Sequence, residues 1–175
     1  MLFSFTHEPT VDSANHPQCG TADEYRAAYD HVWQIFQDRN VTNVKWVWTL
    51  TSSTFNGANG GPDAWRPAHY DYVGVDGYNH ADHWRSPQEI FQTAQDFAAA
   101  HGKPLLVGEI GCDELAGNPQ AKADWLTQAA DLFRSYGDVS AIMWTNTGNG
   151  GNYWLDSTSQ SLAAFAQAGK DPSFG

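Results

Sequence analysis

Basic residues are scarce in this sequence: nine Lys and Arg stand against 20 Asp and Glu, for a formal net charge of −11 at pH 7. Such a field repels polyanions, so no nucleic acid and no anionic membrane surface is expected as a partner. Long apolar runs are missing as well. No stretch approaches the roughly 20 residues that a membrane-crossing helix needs. The residues after Met1, Leu-Phe-Ser-Phe-Thr, carry neither a basic flank nor a cleavage site, so no signal peptide is expected within this chain. Cysteine is limited to Cys19 and Cys112. One pair neither demands an oxidising compartment nor excludes it; two free thiols are the first expectation and a bridge the second. A Gly-x-Ser-x-Gly elbow is absent, which removes the commonest serine-esterase signal. The glycines at 60, 61, 148, 150 and 151 are not followed by Lys-Ser or Lys-Thr, so they read as loops and not as a phosphate cradle.

What the chain does have is apolar and aromatic content. Of 175 residues 41% are hydrophobic, enough for one core, and no change of composition divides the sequence into two domains. Eight Trp, seven Tyr and nine Phe are as suited to the flat faces of sugar rings as to a protein interior. Short β-rich runs alternate with helical patterns, the signature of βα units feeding a parallel sheet. Strands are expected at 2–6, 44–50, 72–75, 104–107 and 139–144. The run Val-Lys-Trp-Val-Trp-Thr-Leu at 44–50 is too continuously apolar for a sheet with one wet face. Capping boxes at Thr21-Ala-Asp-Glu24 and Ser86-Pro-Gln-Glu89 open two helices. Further helices are expected from about Asn118 to Gly137 and from about Asp156 to Gly169. The stretch 52–61 reads as loop, and no helix is expected between it and the strand at 72.

Two glutamates end buried apolar runs. Glu8 follows Leu-Phe-Ser-Phe-Thr-His and precedes Pro9; Glu109 follows Pro-Leu-Leu-Val-Gly. In parallel barrels the strand ends form the active face, and paired carboxylates there suit glycoside hydrolysis, one as acid and one as nucleophile or base. Ordinary loop carboxylates or structural ion pairs are the competing account of the same positions.

The order of motifs sharpens this. His7-Glu8-Pro9, a helix with Glu24-Tyr25 and Ala28-Tyr29, and Asn43-Val-Lys-Trp-Val-Trp48 come first; Tyr72-Val-Gly-Val-Asp-Gly-Tyr-Asn79, Lys103-Pro-Leu-Leu-Val-Gly-Glu-Ile-Gly111 and Ala141-Ile-Met-Trp144 follow. This series resembles glycoside hydrolase family 26, a member of the retaining (β/α)8-barrel clan, from its fourth strand onward. The resemblance implies an α/β fold, an incomplete TIM barrel of strands four to eight. Residues 1–175 would then form a single catalytic domain lacking about three of the eight βα units that close such a barrel. It implies Glu8 as acid/base, Glu109 as nucleophile and Tyr78 as the phenol that bonds the nucleophile. His7, Trp48, Trp84 and Trp144 are implied or candidate sugar contacts, with Trp65 and Trp154 as further aromatic platforms.

No cofactor and no metal are expected. His80-Ala-Asp-His83 lacks a matching further cluster and reads as a substrate-facing loop. Asp76, Asp113 and Glu114 are expected as supporting charges, and a Cys19–Cys112 bridge would cross the mouth. The implied activity is endo-acting hydrolysis of a β-linked polysaccharide, β-1,4-mannan first, with mixed-linkage β-glucan and β-1,3-xylan open. The Pro9-Thr-Val-Asp that follows Glu8 departs from the family's mannanases and leaves the substrate open. Polymers do not cross membranes, so an extracellular setting is implied by class. The competing account is a non-catalytic carbohydrate-binding or vestigial barrel fragment.

Overall fold

The computed structural model describes residues 1–11 and 20–174. Five parallel strands lie in the order of the chain: β1 (Leu2–Phe3), β2 (Lys45–Thr51), β3 (Tyr72–Asn79), β4 (Leu105–Cys112) and β5 (Val139–Trp144). The helices are α1 (Ala22–Asp38), α2 (Ser52–Phe55), α3 (Pro62–Trp65), α4 (Pro87–Ala100), α5 (Ala121–Tyr136) and α6 (Ser159–Ala168). Every strand is sequential and parallel to the next, as right-handed βα crossovers dictate, so the sheet is an incomplete (β/α)8 barrel. With the order running β1 to β5, both end strands are edges. The flanks there are apolar and exposed: Met1 is 77% and Met143 51% accessible.

Local chemistry explains the helices. Both expected capping boxes form, Thr21 with Glu24 and Ser86 with Glu89, each side chain answering the other's backbone amide. Gly137 ends α5 in the left-handed conformation that glycine adopts without steric cost. Between 52 and 65 the structure differs from expectation. Thr51 caps the short α2 by accepting from the Thr54 amide, and Pro62 starts α3. Each is one turn, too short for periodicity to reveal.

The core lies between sheet and helices. On β2, Trp46 and Trp48 point to the same side. Trp46 packs edge-on against Phe36 of α1, and Trp48 sits 5.8 Å from the Phe97 ring of α4. Gly77 of β3 lets α4 come close, because a Cβ there would lie 2.6 Å from Ile90 and 2.7 Å from Phe91.

The strands carrying the two glutamates depart from expectation in opposite directions. β1 stops at Phe3, and the chain turns through left-handed φ at Thr6 (52°) and Glu8 (44°). β3 and β4 instead run on to Asn79 and Cys112, so Glu109 lies within a strand and not beyond its end.

Candidate active site

The geometry around Glu109 is set by an irregularity in β4. Val75 pairs with Val107, but the next residue, Asp76, pairs with Glu109, so Gly108 is an extra residue on one strand. Such a bulge re-aims side chains. Here it places Asp76 and Glu109 side by side. Gly108 must lack a side chain, because a Cβ would come within 2.6 Å of Asp76 Oδ1.

Around this pair the chain gathers its polar groups. The Tyr78 hydroxyl donates to Glu109 Oε2. With its one proton so used, its 3.2 Å contact to Thr145 Oγ1 is satisfied by the threonine hydroxyl as donor. His7 Nε2 lies 3.1 Å from Glu109 Oε1 and 3.3 Å from Asp76 Oδ2. Glu8 reaches the same cluster, near enough to Asp76 to act on its ionisation through charge and hydrogen bonding. The segment after Glu8 is pinned: the Thr54 hydroxyl donates to Thr10 Oγ1 at 2.8 Å, and Asn59 Nδ2 donates to the Thr10 carbonyl at 3.0 Å.

Electrostatically the site is three carboxyls and one imidazole. Asp76 has a fully buried side chain. Burial first, then the charges of Glu8 and Glu109, push its carboxyl up to about 8. A hydrogen bond with the Glu8 side chain adds to that rise, and the Glu109 amide opposes it in part. Burial therefore governs Asp76, with the neighbouring carboxylates adding to it. Burial and the bond to Glu109 raise Tyr78, which keeps its proton at neutral pH and remains a donor. His7, Asp76 and Glu109 each offer one atom, all within 4.8 Å of one another, so they are also where a cation would find ligands. The arrangement can orient one carboxylate with the Tyr78 hydroxyl and the His7 imidazole while storing a proton on Asp76.

The other candidates fall in different places. Trp48 is fully buried among Phe55, Tyr70 and Phe97 on the helix side of β2, so it is a core residue and not one lining the mouth. Strand alternation sends it opposite to Thr49, the residue facing Gly74. Trp144 also turns from the carboxylates. Its ring lies 6.2 Å from Phe165 of α6 and 5.9 Å from Lys122 Nζ of α5, while its indole N–H donates to the Tyr153 carbonyl. The neighbour that reaches Tyr78 from β5 is Thr145, one residue on.

Trp84 is half-buried against the core, and Trp65 is buried with its indole N–H on the Asn59 carbonyl. Trp154 remains 45% exposed in the loop after β5. His80 bonds the Tyr153 hydroxyl at 3.0 Å. Asp113 accepts from the Ala81 and Asn152 amides, and Glu114 accepts from Ser157 and Ser161, so both brace loops. Cys112 is a buried free thiol; Cys19, its proposed partner, lies outside the described residues.

Asp76 is the member of the site that the sequence placed only among supporting charges. The signal for it was the glycine before Glu109, which marks a bulge in a strand. Thr145 had no sequence signal of its own.

No family model matches the chain. Endoglucanase H of Acetivibrio thermocellus is 30% identical over 156 residues, spanning 85% of this chain and 17% of its own length. The catalytic domain of a family 26 endo-β-1,4-mannanase from Bacillus sp. JAMB-750 superposes with a TM-score of 0.71 at 18% identity, covering 99% of this chain and 50% of that one. A family 26 β-mannanase from Bacteroides ovatus gives 0.64 at 15% identity, over 99% of this chain and 51% of that one. A family 128 endo-β-1,3-glucanase from Sorangium cellulosum gives 0.62 at 15% identity, over 95% of this chain and 80% of that one. The chain thus has the fold of these barrels and resembles family 26, as its motifs indicated. It spans about half the length of the two mannanases.

Proposed function

We propose that this chain carries the catalytic centre of a retaining endo-β-glycanase, with Glu109 as nucleophile and Glu8 as acid/base. The observation that carries the proposal is the convergence of Tyr78 and His7 on the two oxygens of Glu109, with Glu8 in the same cluster. A nucleophile needs a fixed direction of attack, and a phenol donating to one oxygen with an imidazole beside the other supplies it. In the first step Glu8 protonates the glycosidic oxygen while Glu109 attacks the anomeric carbon, and a covalent glycosyl-enzyme forms as the leaving sugar departs. In the second, Glu8 takes a proton from water, which displaces Glu109 and completes the hydrolysis. Asp76, protonated up to about pH 8, limits the negative charge that Glu8 and Glu109 must share.

For the substrate, the fold neighbours named as endo-β-1,4-mannanases support β-mannan. A second reading, a β-glucan backbone, is favoured by the 30% identity to a protein named endoglucanase. The proposal includes about three further βα units completing the eight-unit barrel, and action outside the cell, where polymeric substrates reside. The test is hydrolysis of β-mannan, mixed-linkage β-glucan and β-1,3-xylan by the whole protein and its Glu109→Ala variant. Activity on one of them, lost in the variant, is expected. Near-normal cleavage by the variant would overturn the assignment.

A further inference from the structure

Tyr153, in the loop after β5, is fixed more fully than its position in a loop requires. It is only 2% exposed, and its phenol is pushed up to about 12 by burial. Its amide donates to the Thr147 carbonyl at 3.0 Å, and its own carbonyl accepts from the Trp144 indole at 2.8 Å. The hydroxyl donates to the Gly150 carbonyl at 3.1 Å. Its 3.0 Å contact to His80 Nδ1 is then met by an N–H on that nitrogen.

The residues on either side are held too. The Lys122 ammonium, with a side chain wholly buried, donates to the Asn152 carbonyl at 2.9 Å and the Trp154 carbonyl at 2.7 Å. The same ammonium donates to Ser157 Oγ at 3.1 Å and pairs with Glu114 at 3.8 Å, so a buried, compensated cation ties this loop to α5.

What this bracing holds still is a ring. The Tyr153 ring stacks on that of Tyr78, centroids 5.0 Å apart and planes inclined by 29°. Two glycines leave room for it. A Cβ on Gly111 would come within 2.8 Å of Tyr78 and 2.9 Å of Tyr153, and one on Gly151 within 2.5 Å of Tyr153. Tyr78 meets Glu109 and Thr145 at its hydroxyl, and it is a swing of the whole ring about the Cα–Cβ bond that would carry the hydroxyl away from Glu109. A flat wall against the ring opposes that swing.

We propose that Tyr153 is a positioning residue: its ring fixes Tyr78, and through Tyr78 the direction in which Glu109 points. This rests on Glu109 being the nucleophile.

The experiment compares Tyr153→Ala and Tyr153→Phe in the whole protein, on whichever β-glycan the wild type hydrolyses. Misplacement of a reacting group by about 1 Å costs about 10²-fold, so Tyr153→Ala is expected to lower kcat by about that factor with KM little changed. Tyr153→Phe, which keeps the wall, stays near wild type. Tyr153→Leu, which fills the space without a flat ring, replaces the alanine variant if the latter does not fold, with the same expected fall. A second readout needs no turnover: NMR of ring-labelled tyrosine, with the Tyr78 signals assigned by their loss in Tyr78→Phe. The stacked ring flips slowly in the wild type and faster without the wall.

Unchanged kcat in Tyr153→Ala, a loss in Tyr153→Phe as large as in Tyr153→Ala, or an unchanged Tyr78 flip rate would overturn the proposal. If the wild type cleaves no β-glycan, the catalytic reading fails, and the flip rate alone decides whether Tyr153 fixes Tyr78.

Discussion

Replacing Asp76 by Asn should make the protein more stable at neutral pH, by an amount that depends on pH in a definite way. The Asp76 carboxyl titrates at about 8 in the folded chain and near 3.9 when unfolded. Between those values the folded chain holds a proton that the unfolded chain has lost, so stability falls as pH rises across the window and levels off above about 8. Each pH unit costs about 1.36 kcal/mol, so roughly 4 kcal/mol is lost to this one carboxyl by pH 7. Its side chain is wholly buried, and solvent screening does not reduce the figure.

Asn keeps the shape without the ionisation, but it gives up any attraction to a protonated His7, whose Nε2 lies 3.3 Å away. We therefore expect a net gain of about 2–4 kcal/mol at pH 7 and almost none at pH 4. Urea unfolding of both proteins at pH 4, 6 and 8 measures it. A difference that stays constant across these pH values would refute the reasoning, because burial beside Glu8 and Glu109 would then not be raising this carboxyl.

Three further outcomes are expected. Glu8→Ala should lower hydrolysis of polysaccharide by about 10²–10⁴-fold while sparing dinitrophenyl glycosides, whose leaving group needs no proton, a contrast that steady-state kinetics reads directly. Gly111→Ala places a methyl group within 2.9 Å of both Tyr78 and Tyr153; overpacking of this kind costs about 1–3 kcal/mol, measurable by chemical denaturation. Lys122→Met leaves the Asn152 and Trp154 carbonyls without their donor, and a loss of about 3 kcal/mol in unfolding free energy is expected.

Much of the fold was legible because its signals are local. Capping boxes at Thr21 and Ser86 appear where Ser or Thr is followed three residues later by Glu, and both form. The five apolar runs became the five strands, in parallel and in sequence order. Strand ends were less legible. Tyr72 to Val75 reads as a strand by its valines, whereas Asp76 to Asn79 continues it with polar residues and a glycine that only pairing with β4 can hold extended.

The same limit governed the site. Glu109, Tyr78 and His7 do come together, and Glu8 joins them through Asp76. Asp76 itself owes its place to a bulge at Gly108, a feature of two strands and not of either sequence alone. Trp48 and Trp144 show the converse. Aromatic residues near a strand mouth suit a sugar or a helix equally, and the side is decided by alternation along the strand.

The central claim, that Glu109 attacks the sugar and Glu8 serves it as acid and then base, is tested most directly by the stereochemistry of cleavage. Proton NMR during the first minutes of hydrolysis, before mutarotation, identifies the anomer released. Two displacements predict that the β-anomer appears first; early appearance of the α-anomer would mean a single inverting displacement and would contradict the account.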